Sequence, residues 1–258
     1  MKTEEFRKTS GNLTILDKAA EREIYSHDIG DIPPVLTKLM FKIMPDYVVQ
    51  PKSIEEIVKV VKLANNLKMP VIPRGAASWG FGGVIPTRGG IVIDLSPFRK
   101  IIAIDKAQKT ATVEAGARWN DIDIVARKNG LCLMTYPSSK FSTIGGWIAT
   151  GGYAINSFKY GHLSQQIVSL TVVTGAGEVK KLTPADKEFK YFFETEGQFG
   201  IVVEVVLKLR DIPEGSFPRL LYFPGNKEAF AFIDSFVNNP STARFKPNTI
   251  SFLDANHL

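Results

Sequence analysis

The apolar and polar positions first fall into a regular pattern at Tyr47. Tyr47-Val48-Val49 has strand character, and beyond Ser53 the apolar residues Ile54, Ile57, Val58, Val61 and Ala64 recur at helical spacing as one stripe. Ser53, with Glu56 three residues on, has the form of a capping box. Pro70 ends the helix and Val71-Ile72 opens a second strand. This is a β-α-β unit with parallel strands expected, and it delivers the chain into Pro73-Arg74-Gly75-Ala76-Ala77-Ser78. Short strands are predicted at 91–95, 101–104 and 110–115. A helix over 119–128 follows, closed by Gly130 in the usual C-terminal glycine position. A strand at 131–134 enters Tyr136-Pro137-Ser138-Ser139. Residues 168–174 and 178–182 read as a hairpin about Gly175-Ala176-Gly177, Thr183-Pro184 as a helix start, and 201–209 as an alternating strand.

Past Pro213 the composition shifts. Glu214-Gly215-Ser216 with Pro218 reads as a linker, followed by a strand at 220–223, a helix at 226–237 and a strand at 249–253. A segment this short is marginal for an independent core, so a second domain is begun without being completed.

Composition changes this picture little. The net charge of +6 raises the question of nucleic acid, but the Lys and Arg residues are dispersed among Glu and Asp, as between 52 and 68. That is the pattern of a solvated surface, and nucleic-acid binding is not expected. The single cysteine, Cys132, excludes an internal disulfide or a Cys-rich metal site and suggests the cytoplasm. Residues 1–8 are charged, with no apolar stretch behind them, and do not read as a signal peptide. The stretch 141–158 carries no charge, yet it holds four glycines and several hydroxyl and amide side chains. It is a poor membrane span and fits backbone wrapped around a ligand better.

Candidate chemistry sits in three Gly-rich segments. The first, 74–80 with Gly82-Gly83 beyond, follows a strand. Its small residues could turn backbone N–H groups toward an anion, with Arg74 adding charge and Ser78 a hydroxyl. The second, 142–152, places glycine pairs about a short apolar stretch, so that backbone could lie flat on a planar ligand. The third, Glu196-Gly197-Gln198-Phe199-Gly200, turns into a strand. An ordinary surface turn, a tightly packed helix start and a tight connection explain each equally well when taken alone. The chain has no phosphate-binding Gly-x-x-x-x-Gly-Lys-Ser/Thr loop and no Gly-x-Gly-x-x-Gly fingerprint. His27, His162 and His257 lack metal-ligand spacing, so no metal site is expected.

Together, four motifs in order resemble one family: Pro73-Arg74-Gly75 with Ser78 and Gly82-Gly83; Pro137-Ser138-Ser139 with Ser142-Thr143-Ile144-Gly145-Gly146; Tyr160-Gly161; and Glu196-Gly197 with Gly200-Ile201. This is the FAD-binding oxidoreductase family of the vanillyl-alcohol oxidase / p-cresol methylhydroxylase type. Within it the chain is most similar to the D-lactate dehydrogenase and glycolate oxidase branch, which its Tyr25-Ser26-His27-Asp28 and Pro45-Asp46 also resemble. The resemblance implies an α+β fold with FAD between two α+β subdomains. It divides the chain into an N-terminal arm (1–40), an FAD-binding domain (41–212) and the start of a truncated α+β cap domain (213–258).

The resemblance further implies that residues 74–78, with Ser142 and Thr143, hold the pyrophosphate. Pro137, Gly145, Gly146 and Ala149 would line the flavin, and Ile201 and Val202 the adenine end or ring edge. Pro73, Ala76, Ala77, Trp79, Gly151, Tyr160, Glu196 and Gly197 complete the cofactor set. The implied reaction takes a hydride from a 2-hydroxy acid, such as D-lactate or glycolate, to FAD. The FAD is noncovalent, because no histidine stands near Ala77 and Cys132 lies too far from Gly145. Trp147 and Gly152-Tyr153 depart from the branch pattern. The family's catalytic base and substrate arginine belong to the cap, so no catalytic residue is assigned. The implied partners are the hydroxy acid and a polypeptide carrying the cap or accepting electrons, at the membrane periphery if at a membrane at all. Two alternatives stay open: a non-catalytic electron-transfer module, and alcohol oxidation or ether synthesis on the same scaffold.

Overall fold

The computed structural model describes residues 2–30, 35, 41–238 and 247–253. Helix α1 (Lys2–Thr9), strand β1 (Ile15–Leu16) and helix α2 (Ala19–Glu23) precede the β-α-β unit of β2 (Tyr47–Val49), α3 (Ile54–Leu67) and β3 (Val71–Arg74). The two strands are parallel as their spacing predicts, but they are not neighbours. β4 (Ile91–Asp94) lies between them and pairs in parallel with both, while β1 adds an antiparallel edge on β2. The sheet order is β1-β2-β4-β3.

Helix α3 buries Ile57, Val60, Val61, Ala64 and Leu67, and leaves Ile54 and Val58 only half-covered. Half of the predicted capping box forms. Ser53 Oγ accepts from Glu56 N, but the Glu56 carboxylate takes the N–H of Lys52. The helix ends before Pro70, at Lys68, whose φ of 53° is left-handed and whose N–H closes on Ala64 and Asn65 carbonyls.

The second sheet is antiparallel and built from β5 (Ile101–Asp105), β6 (Thr110–Glu114), β7 (Leu131–Leu133), β8 (Ile167–Thr174), β9 (Val179–Leu182) and β10 (Gly200–Asp211). Its order is β5-β6-β10-β8-β9, with β7 on the far end of β10. Helices α4 (Trp119–Lys128) and α5 (Ile144–Thr150) supply Trp119, Ile122, Ala126, Ile144 and Ile148 to its core. Trp119 is fully buried and meets Trp147 edge-on at 5.2 Å.

Strands β8 and β10 serve two cores at once. Val172, Val202 and Val205 pack with α4 and α5, while Val173, Ile201 and Val203 belong to the core of the first sheet, beside α3 and Phe6. A strand buried on both faces needs apolar residues at successive positions, which Ile201-Val202-Val203 provides.

Three predicted elements differ. No α-helix follows Thr183: its N–H and its hydroxyl both donate to Asp186 and close a turn. A 3₁₀ segment (Phe189–Phe192) then places Phe189 and Phe192 in the core at three-residue spacing. Among the described residues, 220–223 and 249–253 form no strand. The helix between them, α7 (Asn226–Val237), follows α6 (Ser157–Tyr160) in chain order and buries only Ala229.

Gly116 is held where backbone crosses backbone: a Cβ there would stand 1.9 Å from the Leu95 carbonyl oxygen and 2.5 Å from that of Phe98. We therefore expect Gly116→Ala to destabilise by about 1–3 kcal/mol through overpacking. At Gly130 the space is open and only the φ of +78° opposes a side chain, so Gly130→Ala should cost about 1 kcal/mol. Urea midpoints for both variants would check the ranking.

Candidate functional site

The three Gly-rich segments meet in one cleft between the two sheets. The first sheet contributes Pro73, Arg74 and Gly75 at the end of β3, with Gly83, Val84 and Leu95. The second contributes Ala115 and, from α5 and its cap, Thr143, Gly145, Gly146, Ala149 and Thr150. The rest comes from Phe192, Thr195, Glu196 and Gly197, and from Gly200, Ile201 and Val202 at the start of β10.

Ala115 sets the spacing of these parts. Its N–H donates to the Val203 carbonyl, and its own carbonyl accepts from Gly145 N. A Cβ on Gly145 would lie 2.8 Å from that of Ala115, so glycine is what lets α5 descend onto the strand. Across the cleft, a Cβ on Gly75 would stand 2.3 Å from Thr143 Oγ1, and one on Gly83 the same distance from Glu196 Oε2. Thr143 Oγ1 is occupied as the N-cap of α5, accepting from Gly146 N at 3.3 Å. The loop 194–197 is fastened to α5 by Glu194 N to the Ile148 carbonyl and Glu196 N to that of Ala149. Glu194, Glu196 and Gly197 all have left-handed φ, at 56°, 55° and 74°. For the two glutamates this is a strained state, sustained by the hydrogen bonds on either side.

The cleft is thus walled largely by glycine, small side chains and exposed backbone edges, with apolar Leu95, Phe192, Ile201 and Val202 among them. A long, partly planar ligand bearing anionic groups fits such a wall: backbone can approach its phosphates, and the apolar side chains its rings.

Other residues singled out from sequence lie off the cleft. Ala76, Ala77, Ser78 and Trp79 continue outward along the first loop, Ala77 with φ 53° and Trp79 partly exposed against Phe81. The Ser142 hydroxyl donates to the Ser139 carbonyl. Pro137 and Gly151 are not among the cleft's residues, and Tyr160 carries Lys159 and Arg210 over its ring. Arg74 borders the cleft, but its guanidinium turns away. It donates to the carbonyls of His27 at 2.8 Å and Ile24 at 3.3 Å and lies over the Tyr25 ring. Burial lowers its pKa, against the opposing pull of Asp94, Tyr25 and Asp28. The expected role for this side chain beside a phosphate therefore does not match its partners. His162 is engaged locally with Ser164 and Glu194, and His257 lies outside the described residues.

Sequence reasoning passed over Val84, Leu95, Ala115, Phe192 and Thr195. It noted Gly83, Thr150 and Gly200 within motifs without assigning them to the site. Leu95 and Ala115 look like ordinary strand ends, and nothing in their neighbours marks them.

Buried Asp123 on α4 anchors the chain leading into α5. Its Oδ2 accepts from Arg127 Nε and from Lys140 Nζ, each at 3.1 Å. Burial alone would raise its pKa, but the two cationic partners outweigh that and lower it. A carboxyl depressed on folding contributes stability above its unfolded pKa, about 3.9, and loses it as pH falls through the lower folded value. Asp123→Asn should therefore be less stable than the unchanged chain at pH 7. The gap should narrow as pH falls below about 4, as read from urea midpoints across the acid range.

Residues 45–183 match the family model described as an FAD binding domain. The D-lactate dehydrogenase of Anaerostipes hadrus is 30% identical over 220 residues, covering 83% of this chain and 46% of that protein. Glycolate oxidase subunit GlcD of Bacillus subtilis is 29% identical over 260 residues, covering 97% and 53% respectively. Among solved structures, an alkyldihydroxyacetonephosphate synthase superposes with a TM-score of 0.73 at 26% identity, over 82% of this chain and 41% of that one. The chain spans about half the length of the curated relatives it matches.

Proposed function

Because the chain belongs to the FAD binding domain family, we propose that it is the FAD-holding part of an oxidoreductase acting on a small 2-hydroxy acid such as D-lactate or glycolate. FAD is its cofactor. The observation that carries the reading is the convergence of three sequence-distant Gly-rich segments on one cleft where added Cβ atoms would collide with the facing wall. In this reading Gly75, Thr143, Gly145 and Gly146 hold the pyrophosphate and flavin, and Ile201 and Val202 exclude water from the ring system. The names of the relatives support the hydroxy-acid class. Bound noncovalently, FAD supplies the two-electron acceptor, and the protein holds substrate and ring in contact.

The segment from 213 onward begins the cap in this proposal. Phe217, Leu220, Tyr222 and Phe230 are each more than half exposed, which supports their being covered by further polypeptide carrying the substrate-binding groups and the base. No helix among the described residues is long and apolar enough to cross a membrane. A single buried thiol, Cys132, supports a reducing compartment such as the cytoplasm.

The chain should quench FAD fluorescence on titration and release the flavin on heating; a chain that cannot be loaded overturns the reading. Gly145→Val should weaken FAD binding by about tenfold or more (~1.4 kcal/mol), because its side chain meets Ala115 or enters the cleft. With the cap domain supplied, D-lactate or glycolate should bleach the flavin anaerobically. Binding without bleaching by any 2-hydroxy acid would favour an electron-transfer module instead.

A further inference from the structure

The carboxyl ends of the three parallel strands are Gln50 after β2, Arg74 at the end of β3 and Asp94 at the end of β4. In open α/β sheets this edge is where ligands bind. Here it is plugged by the protein's own N-terminal arm. Tyr25 Oη donates to Asp94 Oδ2 at 2.8 Å, Gln50 Nε2 donates to the same oxygen at 2.9 Å, and Asp94 Oδ1 accepts from Ser96 N. Arg74 reaches the arm from the other side through the carbonyls of Ile24 and His27. Burial and Asp94 push the Tyr25 hydroxyl up to about 12, so it remains a donor throughout the neutral range.

The arm then continues onto the loop itself. The Asp28 carboxylate accepts from Gly30 N at 2.7 Å and from Gly82 N at 2.8 Å, bridging arm and loop. Gly30 lies so close to Gly80 that a Cβ on it would stand 2.2 Å from the Gly80 carbonyl oxygen. Asp28, Arg74 and Asp94 are all buried. Between these fixings the loop has no regular structure and carries Ala77 in the left-handed region, and its two ends, Gly75 and Gly83, face the cleft. A strained loop keeps one conformation only when its surroundings over-determine it. The surroundings that do so here are Tyr25, Asp28 and Gly30.

We propose that the segment 25–30 is a positioning latch, clamping Arg74, Gly80 and Gly82 so that the loop 75–83 is held ready for the cofactor by residues that do not line the cleft. The inference rests on the FAD reading above. Affinity falls in proportion to the fraction of molecules whose site is formed, so releasing the latch should weaken binding without removing any cofactor contact.

The test compares the full chain with its Asp28→Ala, Asp28→Asn and Arg7→Ala variants. Arg7→Ala breaks the exposed Arg7–Asp17 pair elsewhere on the arm. Two readouts are taken: amide hydrogen exchange at residues 80–83 without cofactor, and FAD affinity by fluorescence titration. Asp28→Ala should speed exchange there and weaken FAD about tenfold, matching a formed fraction of about one tenth. Asp28→Asn, which keeps one acceptor oxygen, should fall between, and Arg7→Ala should change neither. Unchanged exchange in Asp28→Ala, or faster exchange with unchanged affinity, overturns the latch. If the unaltered chain binds no FAD, the parent reading fails, and exchange alone decides whether the clamp exists. Should Asp28→Ala not fold, Tyr25→Phe, which keeps the ring under Arg74 and loses the Asp94 bond together with the longer contact from Gln50 Nε2 at 3.4 Å, should shift both readouts in the same direction. No shift in either would overturn the latch.

Discussion

Burial of β10 on both faces is the constraint on which the rest of the structure depends. Alternate residues of Ile201-Val202-Val203 enter different cores, so neither sheet can move relative to the other without exposing apolar surface. The same strand starts at the cleft and, through the bond from Ala115 N to its Val203 carbonyl, fixes where β6 ends and where α5 begins. The distance between the sheets at the cleft is therefore a by-product of core packing. Cores packed as densely as crystals hold such distances closely.

Given that spacing, glycine decides what the cleft can admit. A Cβ on Gly75 would stand 2.3 Å from Thr143 Oγ1 and one on Gly145 2.8 Å from the Ala115 Cβ, whereas one on Gly83 would meet only the movable carboxylate end of Glu196. The polar groups nearby are engaged within the protein: Thr143 caps α5, Ser142 closes a turn, and Arg74 braces the arm. In the proposed reading, recognition of the dinucleotide would fall on backbone and shape more than on charged side chains, which suits a ligand bound along its length.

Much of the fold was legible because its elements are locally consistent. The stripe of α3, the limits of α4 and the glycine at 130 each carry their own signal, and so does the alternation in β10. What the sequence did not disclose is the insertion of β4 between β2 and β3, since strand order is settled by non-local pairing that leaves no periodic mark. Thr183-Pro184 has the chemistry of a helix start, yet Asp186 closes a turn on Thr183 and Phe189 and Phe192 are drawn into the core. In the site, the glycines announced themselves while Leu95 and Ala115 did not, because their role comes from position between sheets. Arg74 is a different case. A cation after a Gly-rich strand end suggests a phosphate, but the arm that claims it lies some fifty residues away in sequence.

The shared strand also bears on how the chain is made. Phe6, Val49, Ile57, Ile91 and Phe98 leave the ribosome well before Ile201 and Val203, which complete their core. At about 5–20 residues per second, the interval from Phe98 to Ile201 alone is roughly 5–20 s. During it the parallel sheet has α3 against it but still lacks the β8 and β10 residues that finish its packing. The parallel sheet is thus born with an unfinished hydrophobic face, and the protein's yield in a cell should depend on how well that face is shielded until β8 and β10 arrive.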